Sequence, residues 1–174
     1  MSKRAPYALL VASVVAVDQV TKFLVDRLMA LHASHEIVPG LLSLTYVRNR
    51  GAAFGILSDA DLPYQSVLFT LVSVLALCAI AYYSLKLPAE DRLPQTGLAL
   101  IMGGAIGNLL NRASRGYVID FVDVYWGRHH WPAFNVADSC ISVGVALLIL
   151  DVLVAEKRDQ PAKVGEASPV GPSD

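Results

Sequence analysis

Residues 62–85 read LPYQSVLFTLVSVLALCAIAYYSL, an apolar run with no charged side chain. A helix needs about 20 residues to cross the hydrocarbon core of a bilayer, and this run passes that test easily. Working outward, residues 93–111 form another uncharged run that just passes. Residues 5–25 form a third, interrupted by Asp18 and Lys22. Residues 135–154 form a fourth, with Asp138 near one end and Asp151 near the other. Only helices or closed barrels span a bilayer, and these runs lack the alternation of barrel strands. The expected fold is an all-α membrane protein of four transmembrane helices.

Composition agrees. Of 174 residues, 55% are hydrophobic and 17% charged, and the mean hydropathy is +0.50. A soluble domain carries roughly a quarter charged residues. The net charge of −1 gives no basic field for nucleic acid. Met1-Ser2-Lys3-Arg4 before an apolar stretch is like a secretory signal, but a small-residue cleavage site is missing. The first run is therefore read as a retained signal-anchor. Cys78 and Cys140 fall inside apolar runs and read as small buried residues. His32, His35, His129 and His130 lie in connections without the spacing of a zinc peptidase.

Four spans put both termini on one side. Lys3, Arg4, Lys86, Arg92, Lys157, Arg158 and Lys163 fall on the terminal side. Lys22, Arg27, Arg48, Arg50, Arg112, Arg115 and Arg128 fall on the other. Seven against seven leaves the positive-inside rule undecided. The long connections, residues 26–61 and 113–134, share the face away from the termini. Strand-like stretches at 37–47 and 117–126, with a turn at Pro39-Gly40, predict a small sheet there. Trp126, Trp131, Tyr46, Tyr64 and Tyr125 are either headgroup anchors or core residues. The expected organisation is a four-helix unit over 1–155, with β segments near 32–50 and 115–130 and a short helical segment on the sheet face. A disordered tail of Pro, Gly, Ser and Ala is expected over 156–174.

A carboxylate in hydrocarbon is costly, so each acid in or beside a run is a functional candidate. Asn108 and Arg112 are four apart and share a helix face, as do Asn135 and Asp138, three apart. Asp120, if extended, faces with Val118 and Val122, while Asp123 faces away. Asp120 and Asp138 can thus meet at one membrane–water boundary. Two close carboxylates share one proton, and such a pair serves as general base and general acid for amide hydrolysis. Plainer readings stand beside this one. Asp138 suits a helix N-terminus, Asp120 suits a solvated loop, and Asp18 with Lys22 suits a snorkelling pair. Asp151 reads as an interfacial acid. Gly103-Gly104-Ala105-Ile106-Gly107 reads as close helix packing.

Five blocks carry a resemblance. They are Asp18-Gln19-Val20-Thr21-Lys22, Asn49-Arg50-Gly51-Ala52-Ala53-Phe54-Gly55, Gly103-Gly104-Ala105-Ile106-Gly107-Asn108-Leu109-Leu110-Asn111-Arg112, Gly116-Tyr117-Val118-Ile119-Asp120-Phe121 and Phe134-Asn135-Val136-Ala137-Asp138. Together and in this order they resemble the lipoprotein signal peptidase family, also called signal peptidase II. The resemblance implies a bacterial aspartic endopeptidase of the cytoplasmic membrane. It would remove signal peptides from prolipoproteins by cutting before a diacylglyceryl-modified Cys. Asp120 and Asp138 would be its dyad, with Asp18, Lys22, Asn49, Gly51, Asn108, Arg112 and Asn135 supporting them or holding substrate. Both termini would be cytoplasmic, and the site would lie near the extracytoplasmic face.

The family further implies no cofactor or metal, contact with membrane lipids and inhibition by globomycin-type peptides. One chain supplies every site residue, so a monomer suffices. The family usually has Asp where this chain has Asn111. Residues 49–58, with Gly51 and Gly55, are expected to move over substrate. The competing readings are a proton-coupled transporter with Asp18, Asp120 and Asp138 as a relay, and a non-catalytic membrane assembly factor.

Overall fold

The computed structural model describes residues 3–51 and 64–159. Its elements in chain order are α1 (Ala5–Leu28), β1 (Ser34–Val38), β2 (Leu42–Asn49), α2 (Gln65–Lys86), α3 (Arg92–Arg115), β3 (Val118–Trp126), β4 (His129–His130) and α4 (Val136–Asp159). All four helices are long and apolar enough to cross a membrane. The expected four-helix architecture is therefore present. Among the described residues there is no shorter helix. Residues 52–63, which include most of the segment expected to move, lie outside the described residues, as do 160–174. The last helix continues through Asp159, so residues 156–159 are helical and not part of a disordered tail.

Local sequence accounts for the ends of these elements. Pro6 stands in the first turn of α1, where a missing N–H costs nothing. Gly116 closes α3 at φ 76°, its N–H reaching Arg112 O at 2.9 Å, the left-handed stop that glycine takes most readily. At the terminal end, the Arg4 guanidinium donates to the Ser84, Leu85 and Leu87 carbonyls. It thereby satisfies carbonyls that the end of α2 leaves open.

The helix α3 packs against α1, α2 and α4, and its glycines make this possible. A Cβ on Gly103 would meet Val14 of α1 at 2.8 Å, and one on Gly107 would meet Asp18 Oδ2 at 2.5 Å. A Cβ on Gly104 would strike the Ala137 carbonyl of α4. The outward faces carry exposed apolar side chains such as Val17, Leu71, Leu75, Ile149 and Val152, as a lipid-facing surface requires. Cys78 is on such a face and is exposed, and Cys140 is half-buried. The reading of both as buried does not hold, because α2 packs mainly on α3 and leaves the rest of its surface outward.

The sheet is antiparallel in the order β1-β2-β3-β4. It sits at the end of the bundle where α1 and α3 finish. Gly40, at φ 74°, turns β1 into β2. One face of β3 packs Ile119 and Phe121 with Val25 and Tyr46. The alternation of a strand then sends Val118 and Asp120 to the opposite side. Tyr46 is thus a core residue, 2% exposed, whereas Trp126 and Tyr64 are each 82% exposed. The Tyr46 hydroxyl donates to Asp26 Oδ1 at 2.5 Å and accepts from Arg48 Nε at 3.0 Å, and Arg115 also pairs with Asp26. This cluster ties the sheet to the ends of α1 and α3.

Candidate active site

The site starts at the first turn of α4. Asn135 immediately precedes the helix, and its Oδ1 accepts from the Asp138 N–H at 3.0 Å. Asp138 Oδ2 in return accepts from the Asn135 N–H at 3.2 Å. This reciprocal capping box fixes Asp138 at the positive end of the helix dipole. The helix-terminus reading and the functional reading of Asp138 are therefore compatible.

Asp120 reaches the same place from β3, where it pairs in register with Val47. It is 2% exposed, so it is no solvated loop acid. Its Oδ1 accepts from Asn135 Nδ2 at 2.6 Å and its Oδ2 from Asn49 Nδ2 at 3.0 Å. Burial, reinforced by the neighbouring Asp138 charge, pushes its pKa up to about 7. Desolvation disfavours the carboxylate form and a like charge adds to that effect.

Asn49 ends β2 and accepts the Gly51 N–H on its Oδ1 at 2.8 Å. The Gly51 carbonyl accepts from Arg112 at 3.1 Å. Gly51 is thus held by its backbone between two other candidate residues. Asn108 comes from α3 and donates Nδ2 to Asp138 Oδ1 at 2.8 Å. Asn49, Asn108, Arg112, Asp120 and Asp138 all line one cleft of about 440 Å³. The cleft is mostly apolar beyond these groups, with Phe134, Ile141 and Val143 among its walls.

Asp18 and Lys22 lie behind this cleft. They are 0% and 1% exposed, and Lys22 Nζ is 2.9 Å from Asp18 Oδ2. A snorkelling pair would reach water, and this pair does not, because Gly103 and Gly107 let α1 lie tight against α3. Asp18 Oδ1 instead accepts the Ala137 N–H at 3.0 Å, serving an open donor at the start of α4. Asp123 turns away to His130 at 3.0 Å, as the strand alternation predicts.

Two features escaped the sequence reading. Gln19 donates to Asp18 Oδ2 and the Gly107 carbonyl and accepts from Asn111. Its place inside the Asp18–Lys22 block was the available signal. Asn111 is 3% exposed; its Nδ2 donates to Gln19 and its Oδ1 has no partner among the described residues, so it bonds to neither of the two acids. The wall made by Trp131, Pro132, Ala133 and Phe134 also went unread. Phe134 N donates to Val122 O, and its carbonyl accepts the Val122 N–H, at 3.0 and 2.8 Å, and no local pattern announces that pairing.

Two solved structures share this architecture. Both are described as bacterial membrane enzyme structures by the in meso method, one at 2.3 Å and one at 1.9 Å resolution. The first superposes with TM-score 0.81 at 33% identity, covering 92% of this chain and 94% of that one. The second has TM-score 0.77 at 31% identity, covering 86% and 93%. Fold and site thus define the class: a multi-pass bacterial membrane enzyme with its polar groups gathered at one end of a helical bundle. Within that class, the family model described as signal peptidase (SPase) II matches residues 10–154. The chain belongs to the signal peptidase II family. The lipoprotein signal peptidase of Geobacter metallireducens is 51% identical over 152 residues, 87% of this chain and 93% of that protein. That of Geobacter sulfurreducens is 54% identical over 144 residues, 83% and 89%.

Proposed function

We propose that this chain is an aspartic endopeptidase that removes signal peptides from prolipoproteins, cutting before the diacylglyceryl-modified Cys. The observation that carries the catalytic reading is the convergence of Asp120 and Asp138 on one cleft, both bonded to Asn135. Asp120, the more deeply buried acid, holds the shared proton. Asp138 carries the charge, supported by the Asn108 amide and the N-terminus of α4.

In the reaction Asp138 takes a proton from water as its oxygen attacks the scissile carbonyl, and Asp120 gives its proton to the carbonyl oxygen. The tetrahedral intermediate collapses as Asp138 passes its proton to the leaving amine and Asp120 recovers one from the gem-diol. Both acids are thus restored. Arg112 and the amides of Asn49 and Asn108 hold substrate backbone near the pair. The apolar length of the cleft accepts acyl chains or the signal peptide's apolar segment. Its position where spans meet sheet matches a bond tethered at the membrane surface by a lipidated Cys.

In this reading both termini are cytoplasmic and the sheet face is extracytoplasmic. Residues 1–155 act as one peptidase unit, a monomer suffices, globomycin-type peptides compete for the cleft, and residues 49–58 close over substrate. The test is cleavage of a diacylglyceryl-modified prolipoprotein by purified protein in detergent. Asp120→Asn and Asp138→Asn, made singly, are each expected to lower kcat by at least the roughly 10²- to 10⁴-fold that acid–base groups contribute. A chelator is expected to leave the rate unchanged. Near wild-type cleavage by either variant would sink the dyad.

A further inference from the structure

Three carboxamides surround the acid pair, and each has its oxygen committed to a donor. Asn135 Oδ1 takes the Asp138 N–H, and Asn49 Oδ1 takes the Gly51 N–H. Both orientations are set by backbone. Asn108 differs, because its Oδ1 accepts from the Lys22 ammonium at 2.7 Å and more distantly, at 3.3 Å, from Asn135 Nδ2. An ammonium has donors only, so the Asn108 oxygen must face it. Its Nδ2 is then turned to Asp138 Oδ1.

We infer that Lys22 is a positioning residue for the acid pair: through Asn108 it keeps an N–H donor on Asp138, and so decides which carboxyl group carries the shared proton. The inference rests on the peptidase reading above. Without the ammonium, only the longer Asn135 contact at 3.3 Å holds the Asn108 oxygen, and Asn108 can turn to present that oxygen to Asp138. An acceptor there favours protonated Asp138, which is no longer a base.

The charged and titratable surroundings are consistent with this role. Facing the pair are Asp18 and Lys22 from α1, Arg112 from α3 and Cys140 beside Asp18 on α4, with Asp120 itself on β3. Lys22 and Arg112 against Asp18 and a singly protonated pair sum to zero. A buried cluster with one proton fewer would carry an uncompensated charge, which is costly. Lys22 therefore has two partners with separate jobs. Asp18 balances its charge and holds Ala137, and Asn108 transmits its orientation to Asp138.

The test separates those jobs. Lys22→Met alone strands a buried Asp18 carboxylate, so the informative protein is the double variant Asp18→Asn/Lys22→Met, which removes both charges. Cleavage of a diacylglyceryl-modified prolipoprotein is followed from pH 4 to 9, with Tm as the check on folding. The expected result is a KM near wild type and an acid limb of kcat moved up by about one pH unit, so that kcat on that limb is about tenfold lower than wild type at the same pH.

Asn108→Ala alone is expected to shift the limb likewise, and adding the double substitution to it moves the limb no further, as two residues in one pathway require. A double variant with wild-type kcat and an unmoved limb would show Lys22 to be only the counterion of Asp18. Additive shifts, or an unmoved limb in Asn108→Ala, would overturn the route through Asn108. Failure of the underlying reading looks different: wild-type protein would not cut the substrate, or Asp120→Asn would cut it normally.

Discussion

Asp120 shows how much one residue depends on its surroundings. An unfolded Asp titrates near 3.9, and here burial and Asp138 raise it to about 7. Between those values the folded chain binds a proton that the unfolded chain has lost. The contribution of this group to stability is therefore full below about pH 4 and declines as pH rises toward 7. The difference is on the order of a few kcal/mol. Asp120→Asn should accordingly raise Tm relative to wild type more at pH 8 than at pH 4 in detergent, and a constant offset would contradict the raised pKa. The same proton sets the upper limit of activity. With the general acid lost above about pH 7, kcat should fall on the alkaline side, and a rate flat to pH 9 would argue against Asp120 as acid.

At the scale of elements, helix contact is set by glycine. A Cβ on Gly144 of α4 would sit 2.5 Å from the Gly97 carbonyl and 2.7 Å from Ile101 Cγ1. Backbone cannot yield as a side chain can, so Gly144→Ala must push α3 and α4 apart. A cost of about 1–3 kcal/mol is expected, visible as a lower Tm in detergent. Gly144 lies more than a helical turn beyond Asp138, so turnover per folded molecule should be retained. If activity fell without loss of Tm, the contact would have a role beyond packing. The Gly103–Gly107 spacing announced close packing in the sequence. It did not announce that Gly107 meets the carboxylate of Asp18, because spacing gives a face and not the identity of what lies against it.

The whole molecule pairs a lipid-facing bundle with a sheet that has its own exposed apolar rim. Ile37, Val38, Leu41, Trp126 and Trp131 are all more than 40% exposed. Such a rim beside membrane spans suits the headgroup region, where Trp is enriched. The sequence holds two tryptophans, so Trp131→Phe leaves Trp126 as the single reporter. In vesicles containing lipid brominated near the headgroup, Trp126 fluorescence should be strongly quenched. Fluorescence equal to that in unbrominated vesicles would place the sheet clear of the bilayer.

The four spans, the sheet face and the candidate acids were all legible in the sequence. Apolar length against bilayer thickness and strand alternation are local properties, and local properties can be read along a chain. Five ordered blocks named the candidate site residues, Asp18 and Lys22 to Asp138, for the same reason. What the tertiary structure decided was partnership. It turned Asp18 and Lys22 from a possible surface pair into a buried one, sent Tyr46 into the core, and left Cys78 facing outward. It joined Asn135 to both acids and placed the Asn108 amide between an ammonium and a carboxylate. Those outcomes depend on which helix faces meet and how closely. Both are fixed by packing between elements, with partners as far as 119 positions apart, where no periodicity in the sequence reaches.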